Sequence, residues 1–207
     1  VKDKAGNVSA SKSTSTGNVT GLTESNTTFT YSPSEWTNGN VTATVSTTVS
    51  GYTLQTSKDG TTWESKTSQT YTANGTIYAR LWDGTNYGSS LSGNVTNIDT
   101  VKPIVTGATA TTNSIKITAT DEASGIIGYA VTTSNTAPSS FTECTKTTSL
   151  STTVTGKKQG TTYYVWVKDK AGNVSTSRST TTGSVTGLTT TNTTFTYSPS
   201  EWTNGNV

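Results

Sequence analysis

Residues 160–173 read GTTYYVWVKDKAGN, a pattern that predicts a β-strand followed by a tight turn. In a strand, side chains alternate between the two faces, so Tyr163, Val165 and Val167 share one face. Such a period of two is typical of a strand that buries one side. The closing AGN triplet favours a turn because Gly and Asn tolerate a positive φ. The stretch therefore predicts one arm of an antiparallel hairpin, with the return strand beginning at Val174.

The rest of the chain carries the same kind of pattern. Further strands are predicted at 28–31, 41–45, 52–56, 61–64, 76–82, 87–91, 114–119, 128–133 and 151–154. No segment has helical periodicity, and turn residues separate the short strands. Because short, regularly spaced strands of this kind are typical of sandwiches, the sequence predicts an all-β fold.

A long internal repeat sets the organisation of the chain. Residues 1–41 and 167–207 are identical at 35 of 41 positions, at an offset of 166 residues. A weaker echo lies inside this period, where GYTLQTS at 51–57 matches GYAVTTS at 128–134. Such self-similarity indicates how many folding units a chain holds. The repeat predicts two related sandwich modules in each period.

We divide the chain accordingly. Residues 24–99 are predicted to form an immunoglobulin-like module A, and residues 100–189 a fibronectin III-like or immunoglobulin-like module B. Residues 1–23 are expected to be the last strands of a preceding B-type module, and residues 190–207 the first strands of a following A-type module. The boundary between the two modules is expected near residues 99–101.

Composition excludes several classes of function. Charged residues make up 13% of the chain and the net charge is +2, which predicts no nucleic-acid partner. The chain has no His and a single Cys, Cys144, so neither a Ser/His nor a Cys/His nucleophile can be assembled. The adjacent acids Asp121 and Glu122 lie in one predicted loop, which is weak support for a glycosidase pair. The chain is therefore predicted not to be an enzyme.

Cysteine scarcity and hydropathy bear on localisation. A lone thiol cannot form an intrachain disulfide, which fits an exported chain that is held together by packing. No apolar stretch is long enough to span a membrane. Thr, with 53 residues, and Ser, with 28, dominate the composition, as suits thin sheets with one solvated face.

Three short motifs resemble known repeats. The sequence GTTYYVWV followed by DKAGNVS is similar to the final hairpin of fibronectin III and bacterial immunoglobulin-like repeats of Gram-positive surface proteins. DTVKP at 99–103 resembles the linker that opens many of those domains, and YSPSEWTNGNVTATV at 31–45 resembles their first two strands. The resemblance implies a tyrosine corner at Tyr163, with the hydroxyl bonded to backbone near 155–158. It also implies a long extracellular or cell-wall protein whose repeats project a functional tip.

Module A departs from this pattern. Its strand at 76–82 is predicted to turn Ile77, Ala79 and Leu81 inward, which leaves Tyr78 facing outward. No corner tyrosine is therefore predicted on this strand.

Topology predicts a candidate metal site at the joint of the modules. In a sandwich of this class, the incoming linker, the loop after the second strand and the loop before the last strand lie at one pole. Acidic residues occur in all three segments of module B: Asp99, Asp121 with Glu122, and Asp169. Clustered oxygen ligands of this kind can bind Ca²⁺. Asp also commonly caps turns by bonding backbone amides, and this alternative stays open.

Two tryptophans are candidates for glycan binding. Trp36 follows Ser-Pro-Ser-Glu near the start of module A, and Trp63 follows the turn at Lys58-Asp59-Gly60. Flat aromatic faces can stack on sugar rings, but such rings also cover the ends of sandwiches and the seams between modules.

The sequence thus predicts a structural spacer, the stalk of a large extracellular protein on a bacterial cell surface. Its expected partners are neighbouring repeats of the same chain, and no cofactor is expected beyond the possible Ca²⁺. The alternative is an adhesive module that binds host or cell-wall glycans.

Overall fold

The computed structural model describes residues 4–6, 8, 18–188, 191, 193–196 and 204. Thirteen β-strands and no helix occur in this part of the chain, which confirms the all-β prediction. The chain divides into two compact units: Val1–Val101 with Lys170–Gly172, and Lys102–Asp169 with Asn173–Val207. We describe each unit separately.

The first unit contains six strands in two antiparallel sheets. The strands are β1 (Thr27–Ser32), β2 (Val41–Thr47), β3 (Thr53–Ser57), β4 (Ser68–Tyr71), β5 (Gly75–Trp82) and β6 (Leu91–Val95). One sheet has the order β1-β2-β4 and the other the order β3-β5-β6. β3 and β4 belong to different sheets from the strands just before them, so the chain crosses from one sheet to the other, as in an immunoglobulin-like sandwich.

Alternation on the central strands builds the core of this unit. Ile77, Ala79 and Leu81 on β5 are completely buried, as their spacing predicts. Strand β2 contributes Val41 and Val45 from the other sheet to the same cluster. Removing one such aliphatic side chain from water contributes about 1.5–3 kcal/mol to stability. The outward residue Tyr78 is half-buried, as predicted.

The segment before β1 also packs on this core. Leu22 is only 4% exposed and belongs to the core cluster, and Val19 packs against it. The Leu22 amide donates a hydrogen bond of 3.3 Å to the carbonyl oxygen of Ser89. Residues that precede the predicted start of module A are therefore part of the packing of the first unit.

Two predicted strands of module A are wrong. The segment 87–91 is not a strand, because Tyr87 makes only an isolated bridge to Trp82 and β6 begins at Leu91. Residues 61–64 form a loop, in which only Glu64 makes an isolated bridge, to Thr56. The cause is Asp59, whose carboxylate accepts hydrogen bonds from the amides of Thr61 and Thr62 at 2.8 and 2.7 Å. Amides captured by a turn cannot join a ladder, since each donates to only one partner. The partner of β3 is β5, and the strand β4 was not predicted.

The second unit contains seven strands, again in two antiparallel sheets. They are β7 (Ile104–Ala110), β8 (Ile115–Thr120), β9 (Ile126–Thr132), β10 (Thr142–Thr147), β11 (Ser149–Val154), β12 (Thr162–Asp169) and β13 (Arg178–Thr181). The sheet orders are β11-β8-β7 and β10-β9-β12-β13. Strands β7 and β10 were not predicted, and the return strand begins at Arg178, with an isolated bridge at Val174.

The predicted tyrosine corner is confirmed in this unit. Tyr163 is 8% exposed and packs in the core with Val165 and Val167. Its hydroxyl accepts a hydrogen bond of 2.9 Å from the amide of Lys158, within the segment that the resemblance implied. The bond fastens the connection that precedes β12 to the strand itself.

Candidate functional site

Asp169 lies at the end of β12 and organises the turn that follows. Its two carboxylate oxygens accept hydrogen bonds of 2.7 Å from Asn173, one from the backbone amide and one from the side-chain amide. Gly172 adopts a φ of +99°, which a residue with a side chain rarely adopts. The side chain of Asp169 is fully buried. The DKAGN sequence therefore holds a carboxylate in a fixed position at this end of the strand.

Asp121 occupies the corresponding position after β8. One of its carboxylate oxygens accepts a hydrogen bond from the amide of Gly125, whose φ is +81°. Asp121 is 5% exposed. The next residue, Glu122, is exposed, so the chain turns one acid inward and leaves its neighbour in solvent.

Asp99 lies in the segment that leads to β7. Its carboxylate accepts a hydrogen bond of 2.9 Å from the amide of Val101, and its own amide donates to the carbonyl oxygen of Thr37 at 2.9 Å. Asp99 is 3% exposed. All three aspartates thus bond backbone amides near them in sequence, as the turn-capping interpretation predicts.

Two of the four predicted ligands lie close together within the second unit. Asp121 and Asp169 each place a carboxylate oxygen so that these two oxygens lie within 4.8 Å of each other. Glu122 does not belong to this pair. Ca²⁺ binds oxygen at about 2.3–2.6 Å, so two ligands of one ion lie at most about 5 Å apart, and the observed spacing fits.

The two candidate tryptophans occupy different surroundings in the first unit. Trp63 lines a cavity of about 500 Å³, together with Arg80, Tyr87, Gly60, Thr61, Gly88, Ser89 and Ser90. Trp36 is half-buried and is not among the residues that line this cavity. The structure therefore does not bring the two tryptophans to one site.

Sequence reasoning did not identify Arg80 and Tyr87 as residues of this cavity. The Arg80 guanidinium lies over the Trp63 ring at 4.1 Å and over the Tyr87 ring at 4.2 Å from the ring centroids. Each cation–π contact of this kind is worth about 0.5–2 kcal/mol, depending on how far it is removed from water. The signal in the sequence was the alternation of β5: if Ala79 and Leu81 face inward, Arg80 must face outward.

No family model matches the chain, and no curated protein matches it. Among the described residues, no helix has the length and apolar character needed to cross a membrane.

Three solved structures are similar to this chain in fold class. The human OSCAR ligand-binding domain is 9% identical with a TM-score of 0.38, and the match covers 74% of this chain and 96% of that one. A structure of consecutive titin domains is 15% identical with a TM-score of 0.40, covering 72% and 61%. Fibronectin(III)-like modules of Clostridium thermocellum CbhA are 13% identical with a TM-score of 0.34, covering 73% and 91%. The antiparallel sheets described above carry the assignment: the chain consists of immunoglobulin-like or fibronectin III-like β-sandwiches.

Proposed function

We propose that the chain is a spacer, a piece of a stalk in which A-type and B-type modules alternate and hold another part of a longer protein away from a bacterial cell surface. The support begins with the repeat, since 35 of 41 residues recur after 166 positions. A stalk gains length by adding modules, and near-identical copies are what such growth leaves behind.

One observation carries this proposal. The tetrapeptide Val-Thr-Gly-Leu occurs at 19–22 and again at 185–188. Leu22 is 4% exposed in the core of the first unit, whereas its copy Leu188 is 82% exposed. The second copy therefore carries the same apolar residue that the first copy uses to join a module A. We infer that it joins a following module A in the same way.

Small-angle scattering on chains of one, two and three periods tests the spacer function. A module should be roughly 35–40 Å long, so the maximum dimension is expected to grow by roughly 70–80 Å with each period. Compact association of the modules would instead make the radius of gyration grow slowly, approximately as the 0.38 power of chain length. That result would contradict a spacer.

We further propose that Asp99, Asp121 and Asp169 bind Ca²⁺. The support is the burial of all three carboxylates and, within the second unit, the 4.8 Å spacing of the Asp121 and Asp169 oxygens. Ligand that binds only the folded state stabilises it, by about 2.7 kcal/mol at a concentration one hundred times the Kd.

Calorimetric titration of the full chain with Ca²⁺ tests this proposal. One ion per chain is expected, with binding lost in Asp121→Asn and retained in Glu122→Gln. Glu122 is a matched control because it is the adjacent acid outside the group. Absence of heat and of a rise in Tm at millimolar Ca²⁺ would eliminate the site, as would equal losses in the two variants. In that case the three aspartates act only as caps of their turns.

A further inference from the structure

Arg80 lies on the solvent-facing side of the sheet β3-β5-β6. The residues on either side of it, Ala79 and Leu81, are completely buried, so Arg80 points away from the core. Its guanidinium carbon lies over the Trp63 and Tyr87 rings, at 4.1 and 4.2 Å from their centroids. Two aromatic rings therefore contact the guanidinium, and its edge remains for hydrogen bonding.

A buried neighbour fixes the direction of that edge. The Nε of Arg80 donates a hydrogen bond of 2.9 Å to Oε1 of Gln55, which is 8% exposed. No carboxylate forms an ion pair with Arg80 among the residues that the structure describes, where the ion pairs are Lys66–Glu64 and Lys170–Glu35. A positive charge is thus held in a fixed orientation without an ion-pair partner among the described residues.

The cavity beside this guanidinium has the size and chemistry of a saccharide site. Its volume is about 500 Å³, and pockets for small ligands range over about 300–1,000 Å³. Thr61, Ser89 and Ser90 line its wall, and the hydroxyl group of each can both donate and accept. Gly60 and Gly88 also line the cavity and contribute only backbone atoms to it.

We propose that this cavity binds a carboxylated sugar, a uronic or sialic acid residue of a glycan. The Nη groups of Arg80 present two parallel donors that match the two oxygens of a carboxylate. The three hydroxyls bond the sugar hydroxyls, and the apolar face of the sugar ring packs on the exposed ring of Tyr87. A single guanidinium matches one carboxylate charge, whereas a phosphate dianion would favour additional cations or a helix N-terminus.

This binding activity goes beyond the spacer function and does not depend on it. Scattering can contradict the spacer while the saccharide binds, and scattering can support the spacer while no saccharide binds. The two proposals are therefore tested by separate measurements.

Titration of the full chain with saccharides tests the proposal. Tryptophan fluorescence and amide NMR shifts are the readouts of binding. The probes are 3′-sialyllactose, a glucuronic acid-containing disaccharide, and lactose as the neutral counterpart. We expect saturable binding of at least one acidic probe, with shifts confined to residues that line the cavity, and at least tenfold weaker binding of lactose. Binding of one acidic probe alone identifies the source of the carboxylate. Lactose binding as tightly as both acidic probes, or no saturable binding of any probe, would overturn the proposal.

Three variants assign the site. Arg80→Lys retains the charge but loses the paired donors, so the affinity for the acidic probe should fall at least tenfold. Ser90→Ala changes an exposed hydroxyl, is not expected to disturb folding, and should weaken binding severalfold. Arg178→Lys is the matched control, because Arg178 lies outside this cavity. Equal losses in Arg80→Lys and Arg178→Lys would contradict the assignment, and so would full affinity in both Arg80→Lys and Ser90→Ala.

Discussion

The two copies of Val-Thr-Gly-Leu have one sequence and two environments. At 19–22, Leu22 lies in the core of the first unit and its amide bonds the carbonyl oxygen of Ser89. At 185–188, Val185 is 65% and Leu188 is 82% exposed. The tetrapeptide therefore has no structural preference strong enough to decide its burial. A module A beside it supplies the apolar surface, and the local sequence supplies only the matching side chains.

The largest expected effect is a difference in stability between substitutions in the two copies of Val-Thr-Gly-Leu. Leu22→Ala should lower the free energy of unfolding of the first unit by about 2–5 kcal/mol, because it removes a buried side chain and leaves a cavity. Leu188→Ala should change stability by less than about 0.5 kcal/mol, as exposed substitutions do. Chemical denaturation of both variants measures the difference, with hydrogen exchange of β2 and β5 as the readout for the first unit. Equal effects of the two substitutions would break the comparison.

A smaller effect on stability is expected in the second unit, from the tyrosine corner. Tyr163→Phe removes the acceptor of the Lys158 amide, and it should cost about 1–2 kcal/mol in the second unit. Tyr164→Phe is the matched control, because the adjacent ring lies on the opposite face of β12 and is only half-buried. Thermal unfolding with hydrogen exchange of β9 and β12 reports on this unit. An unchanged Tm in Tyr163→Phe would mean that the corner contributes nothing to stability.

The smallest expected effect depends on pH and belongs to the first unit. Burial raises the pKa of Tyr71 to about 12, and its hydroxyl donates to the carbonyl oxygen of Thr76. Unfolded tyrosine has a pKa of about 10, so the unfolded chain binds fewer protons than the folded one above that value. Stability should therefore be constant below about pH 10 and fall between about pH 10 and 12.

Denaturation at a series of alkaline pH values measures this slope in the native chain and in Tyr71→Phe. The slope should become shallower in the variant, although part of it should remain because burial also raises the pKa of Tyr31. A slope of the same steepness in both proteins would assign the alkaline loss to other groups.

Some features could be predicted from the sequence because local pattern determines them. The alternation of Tyr163, Val165 and Val167 specifies which face of β12 is buried, and a turn of Gly and Asn specifies where that strand ends. The closeness of Asp121 and Asp169 within the second unit followed from topology, since strand ends at one pole of a sandwich must lie close together.

Other features depend on tertiary contacts that no local pattern contains. Strand β10, with the sequence TECTKT, lies at the edge of its sheet and shows no apolar alternation. The loop at 61–64 has strand-forming residues, but the carboxylate of Asp59 captures its amides. The contact of Arg80 with Trp63 and Tyr87 joins a strand to two separate loops, so it becomes visible only once the sheet β3-β5-β6 is formed.

Hydrogen exchange at 185–188 tests the central claim, that each Val-Thr-Gly-Leu joins the module A that follows it. Val207 is the repeat equivalent of Val41, so appending residues 42–99 after Val207 completes a second module A. In the lengthened chain, the Leu188 amide is expected to exchange as slowly as that of Leu22, whose hydrogen bond to Ser89 it should reproduce. Exchange at Leu188 as fast as in the 207-residue chain would contradict the account.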